Sequence, residues 1–90
     1  MMPSDFKILS HLNSSYLHLK LVGDFDRASA KQLIELLWKY CRKVSTIIIH
    51  TDCIRRVVPL DLQEFRREFE RMKSEPVQFI LTGEHAALLK

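Results

Sequence analysis

Alternating strand-like and helix-like segments predict an α/β domain with a mixed sheet and helices packed on it. Three observations carry that reading. In Tyr16-Leu17-His18-Leu19-Lys20-Leu21-Val22 the leucines alternate with Tyr, His and Lys, the period of a strand buried on one face. Ile47-Ile48-Ile49 lies in a β-branched run without alternation, as expected of a central parallel strand covered on both faces. Leu62, Phe65, Phe69 and Met72 recur at helical spacing and mark the buried side of a helix.

Taken in order, residues 6–12 read as a first strand, and Asn13-Ser14-Ser15 supplies turn chemistry before a second strand over 16–22. Gly23-Asp24-Phe25-Asp26 breaks that strand. Asp26 is a good N-cap for the first helix, and Ser29 with Gln32 as a capping box is the alternative. The helix runs to about Lys43, with Ala30, Leu33, Leu37, Tyr40 and Cys41 on a buried stripe and Lys31, Glu35, Lys39 and Arg42 in water. Arg42 and Lys43 complement the negative end of its dipole.

Residues 46–50 form the central strand, and 51–58 a loop leading to Pro59, which suits a first helical turn because its missing N–H has no partner there anyway. On the second helix, Arg66 with Glu70 and Gln63 with Arg67 are spaced as i,i+4 pairs of a solvent face. Ser74-Glu75-Pro76 ends it, residues 77–81 form another buried strand, and Thr82-Gly83 restarts a helix carrying Ala86, Ala87, Leu88 and Leu89. The expected order is ββαβαβα, with right-handed parallel crossovers after the first hairpin.

Ninety residues bound this to one domain, 1–90, with one core; 47% apolar and 28% charged content is that of an ordinary globular chain. A domain of this size buries only about 60–65% of its unfolded surface, so a flat apolar face left over calls for a partner, a second copy of the chain included. No apolar run approaches the roughly 18–20 residues that span a bilayer. Met1-Met2-Pro3-Ser4-Asp5 lacks a leader pattern, and Cys41 and Cys53 form no CxxC pair, so a reducing cytoplasm is the expected location. Net charge is +3, but Arg55-Arg56 and Arg66-Arg67 are interleaved with acids rather than drawn into the single-sign stripe that nucleic acid requires.

Other chemistries find little support. His50, Asp52 and Cys53 make one irregular cluster where structural zinc sites show two paired-ligand motifs, which leaves a loop with a buried cysteine. Cys53 and His50 are too local for a nucleophile and base, and no glycine loop for an oxyanion accompanies them. Asp24, Asp26, Asp61 and Glu84 fall after strand ends or at helix starts and read as caps and dipole partners. No Gly-rich loop offers a phosphate cradle. Trp38 and Phe25 are core residues or interface anchors.

Leu17 to Asp26, ending Gly23-Asp24-Phe25-Asp26, looks like the strand ending Gly-Glu-Leu-Asp in the STAS domain, the fold of bacterial anti-sigma factor antagonists. Residues 28–37 match the helix that follows it in that family, 47–57 the central strand and loop, and 77–89 the last strand and helix, so the resemblance covers nearly the whole chain. Family domains usually run further, with a longer last helix than the residues up to Lys90 provide. The family's phosphorylatable Asp-Ser-Ser-Gly switch aligns without gaps to Val58-Pro59-Leu60-Asp61, which carries no hydroxyl.

The resemblance implies a non-catalytic protein-interaction domain, antagonist-like but without the phospho-switch, in which a phosphate would bring about −1.5 to −2 charge onto a packed interface. The implied partner is a kinase-type anti-sigma factor. The alternatives are a STAS subunit of an ABC-type lipid transporter or a stressosome-like assembly, and a small-ligand or nucleotide-binding domain. The expected partner-binding residues are Gly23, Asp24, Asp26, Val58, Pro59, Leu60, Asp61, Thr82 and Gly83, with no cofactor, metal or catalytic residue.

Overall fold

The computed structural model describes residues 5–90. Residues 1–4, within the stretch read as lacking a leader pattern, lie outside the described residues. The strands are β1 (Lys7–Asn13), β2 (Tyr16–Phe25), β3 (Thr46–His50), β4 (Ile54–Val57) and β5 (Gln78–Thr82); the helices are α1 (Arg27–Tyr40), α2 (Gln63–Met72) and a single-turn α3 (Ala86–Leu89). A 3₁₀ turn, Pro59–Leu62, runs directly into α2. The sheet is mixed. β1 pairs antiparallel with β2, and β3 and β5 follow in parallel, in the order β1-β2-β3-β5.

The alternation in β2 decides which side is filled. Leu17, Leu19, Leu21 and Phe25 are fully buried against Leu33 and Leu37 of α1 and Phe65 and Phe69 of α2, in one core that also takes Ile47 and Ile49. All five phenylalanines of the chain touch in series: Phe6 to Phe25 at 5.8 Å between ring centroids, Phe25 to Phe65 at 5.7 Å, Phe65 to Phe69 at 5.6 Å, and Phe69 to Phe79 at 4.9 Å. Three of these contacts are edge-to-face, the arrangement the ring quadrupole favours. Phe25 is therefore core, not an anchor.

Several expectations are corrected. β3 is not covered on both faces: Ile48 and His50 turn away from the helices and are only half-buried, because no helix among the described residues packs on that side. The loop over 51–58 contains β4, which pairs parallel with the end of β2, Gly23 beside Ile54 and Phe25 beside Val57. α1 stops at Tyr40 with Cys41 as its C-cap, three residues short of the expected Lys43, and Tyr40 stays half-buried. Arg66 is not paired with Glu70. Its Nη2 donates to the Leu88 carbonyl at 2.6 Å and holds α3 against α2, while Glu70 takes Lys73 at 3.1 Å. Arg42 reaches Glu75 at 2.6 Å instead of serving its own helix end.

Phe69 links Phe65 to Phe79 in the aromatic series and is 2% exposed. Phe69→Ala should cost about 3–5 kcal/mol, most of a small domain's stability, in urea unfolding followed by circular dichroism. An unchanged midpoint would remove Phe69 from the core.

Candidate functional site

The site at the C-terminal ends of the parallel strands is built by β2 running past β3. Gly23 is where the strand changes partners. Its φ is +109°, its N–H donates to the Cys53 carbonyl at 3.1 Å, and a Cβ there would lie 3.1 Å from the Asp5 carbonyl oxygen and from Phe6 Cα. The register shift between Gly23 and Asp24 then sets β2 against β4, and Val58 N–H closes on the Phe25 carbonyl at 3.1 Å. This brings the start of α1 beside the Pro59 turn.

At that junction the two aspartates serve the same helix. Asp26 is the N-cap of α1: its Oδ1 accepts from Ser29 N–H at 3.0 Å, so the capping-box alternative at Ser29 and Gln32 is set aside. The backbone N–H of Ser29, with its hydroxyl and the neighbouring N–H groups, holds the Asp26 carboxyl below its ordinary value of 3.8, against a smaller opposing effect of burial. Asp61 also faces α1, where its Oδ2 accepts from Arg27 N–H at 3.1 Å and its Oδ1 stands 4.0 Å from the Arg27 guanidinium. Asp24 is held by Arg55 at 3.3 Å and Arg56 at 3.5 Å. The aspartates are thus structural in their contacts.

Leu60 is the exception. It is 80% exposed on the Pro59 turn, since only Leu62 of that turn points into the core. Beside it a groove of about 380 Å³ runs between α1 and α2, floored by Ala30, Ile34 and Phe65 and edged by Arg27 and Lys31 on one side and Glu64 and Glu68 on the other. Leu60, Asp61 and Arg67 line a smaller hollow at its head. Farther along α1, the Trp38 indole N–H donates to Glu68 Oε1 at 3.1 Å and, with Arg71, holds that carboxyl below the usual range. The sequence did not reveal this groove, because the small Ala30 reads as an ordinary member of the helix stripe and Ile34 falls outside that stripe with no signal of its own.

Thr82 and Gly83 join this edge through the turn between β3 and β4 rather than through the helix starts. Thr51 Oγ1 donates to the Thr82 carbonyl at 2.7 Å and accepts from His85 N–H at 3.2 Å, while Asp52 Oδ1 accepts from Glu84 N–H at 3.2 Å. Gly83, at φ +100°, lets the turn after β5 pass close to the turn after β3; a Cβ would sit 2.5 Å from Thr51 Oγ1. Cys53 is exposed, not buried as expected, and His50 points to the opposite side of the sheet. Among the described residues, no group of three or more His, Cys, Asp or Glu side chains is arranged to hold a metal ion.

No family model matches the sequence, and no curated protein does. Solved structures do match the fold. A crystal structure of Mglu superposes with a TM-score of 0.74 at 12% identity, over 84% of this chain and 19% of that one. Mglu in its native form in 4.3 M NaCl gives 0.74 at 9% identity over 92% of this chain and 27% of that one. Its L-glutamate binding form gives 0.73 at 9% identity, again over 92% of this chain and 28% of that one. The chain thus spans between about a fifth and a quarter of the proteins it resembles, and at these identities the likeness shows a shared α/β fold.

Removing the Asp26 cap should cost about 1 kcal/mol near neutral pH. A carboxyl with a depressed folded value contributes stability that is present above its unfolded value and lost as pH falls through the folded one. The gap between wild type and Asp26→Ala in urea unfolding should therefore be full above about pH 5 and close below the ordinary carboxyl value of 3.8. A gap that persists unchanged to pH ~2 would detach the cap from the carboxylate charge.

Proposed function

We propose that this chain is a non-catalytic protein-interaction domain of STAS type that docks a partner through the Pro59 turn and the groove between α1 and α2. The observation that carries this is Leu60, an apolar side chain 80% exposed at the head of a groove with an apolar floor and charged rims. That is the anatomy of an interface anchor: a hydrophobic residue at the centre with polar groups around it. The resemblance of the sequence to that family, which implies docking at Val58-Pro59-Leu60-Asp61, supports the same site.

The domain acts without a phospho-switch in this reading. Residues 58–61 offer no hydroxyl, and the nearest alternatives, Ser29 and Thr51, are both 0% exposed and already hydrogen-bonded. Docking would then be governed by partner concentration rather than by kinase activity. The partner would be a kinase-type anti-sigma factor or, in the nearest alternative, a subunit of a transporter or stressosome-like assembly. No helix among the described residues is long and apolar enough to cross a membrane. The two free cysteines fit the cytoplasm as the place of action.

Quantitative pull-down from the source cells with wild type and Leu60→Glu, followed by isothermal titration of the retained protein, tests the site. Leu60→Glu should weaken the complex by at least about thirtyfold, the effect of a hot-spot loss near 2 kcal/mol, with the melting temperature unchanged. Equal affinity would move the interface elsewhere.

Two companion outcomes are expected. Intact mass after incubation with the partner and ATP should show no added phosphate. Nucleotides should leave the thermal midpoint unshifted, whereas binding at a hundredfold excess over Kd would stabilise by about 2.7 kcal/mol and favour the ligand-binding reading.

A further inference from the structure

The sheet has a second face, turned away from α1 and α2, and its residues follow from the register. Across the strands run His11, His18, Ile48 and Ile80, and beside them Leu9, Lys20, His50 and Thr82. Tyr16 and Lys7 stand at opposite ends, paired with Thr46 and Val22. Leu9 is 53% exposed, Tyr16 48% and Ile80 38%. Parallel strands are ordinarily covered by helices on both faces, so one layer of this architecture is missing.

The charges of this face have one sign. They are those of Lys7 on β1 and Lys20 on β2, with His11, His18 and His50 beside them on β1, β2 and β3, and β5 adds the uncharged Thr82. Asp24 is the only carboxylate in the five strands, and it lies at the far end, neutralised by Arg55 and Arg56. The imidazoles are drawn together: His11 and His18 have ring centroids 6.5 Å apart, and His18 Nδ1 faces His50 Nε2 at 3.4 Å in rings only 8° from parallel. The far nitrogen of His50 is 2.8 Å from Thr82 Oγ1.

We infer that this open face docks an acidic amphipathic helix of a protein partner, which supplies the missing layer. Leu9 on β1 and the neighbouring Ile48 and Ile80 on β3 and β5 meet the apolar side of the helix, and Lys7, Lys20 and the imidazoles meet its carboxylates. A second copy of this chain is a poor occupant, because it would bring the same cations face to face. Nucleic acid would match the charge but not the aliphatic side chains.

The probe is a fluorescent synthetic helix of about 18 residues, five turns, with a leucine side flanked by glutamates; its control replaces every Glu with Lys. Binding is followed by anisotropy and located by the amide resonances of β1, β2 and β3. The acidic helix should bind and the lysine control should not, with affinity falling in high salt. Lys20→Glu and His11→Glu, both at exposed positions, should each weaken it about tenfold or more without changing the circular dichroism melt, and Leu60→Glu should leave it unchanged. Absence of binding at millimolar peptide, equal binding of the lysine control, or indifference to Lys20→Glu would each overturn the assignment. So would tighter binding of oligouridylate, or sedimentation showing that the face is occupied by self-association.

Discussion

The structure depends on β2 being long enough to serve two successive neighbours along one edge. Its first five residues pair with β3 and its last three with β4, and Gly23 makes the change of register between them. Any residue with a Cβ there would press on the backbone of Asp5 and Phe6 in a conformation that L side chains rarely adopt. Without the second pairing, β4 would have no neighbour and the Pro59 turn no anchor on Phe25. The start of α1 and the start of α2 are adjacent because one strand reaches both.

That constraint explains how the two sides of the sheet come to differ. Leucine at every second position of β2 commits one face to the helices, and the aromatic series from Phe6 to Phe79 fills it. The other face is left to whatever the intervening positions carry, here Tyr, His, Lys and Val. The molecule is thus asymmetric in chemistry as well as in packing. Carboxylates gather around the helices, at Glu35, Asp61, Glu64, Glu68 and Glu70, while the strands are almost free of them.

Much of this was legible in the sequence, because period and capping report local geometry directly. The alternation of β2, the cap at Asp26 and the stripe of Leu62, Phe65, Phe69 and Met72 all have one physical meaning and all appear in the fold. β4 was missed because four residues, two of them arginine, carry too little pattern to separate from a loop; its strand character comes from pairing with β2. Ile47-Ile48-Ile49 misled for a related reason. An apolar run says that a strand prefers cover on both sides, but only the count of helices in the whole chain decides whether cover exists. In the candidate site, the exposure of Leu60 could be suspected from its failure to join the helix stripe, whereas the groove beside it is a product of how α1 and α2 approach.

Trp38 has a use beyond packing. It is the chain's single tryptophan, and its indole N–H is tied to Glu68 on the opposite side of the groove. Indole emission depends on that hydrogen bond and on local water, so the domain carries an optical reporter of the space between α1 and α2. A change in the spacing of those helices, or an occupant that displaces water from the Glu68 rim, registers in the emission wavelength without any attached dye. Events on the other side of the sheet leave the indole in place, so its signal separates the two faces of the molecule.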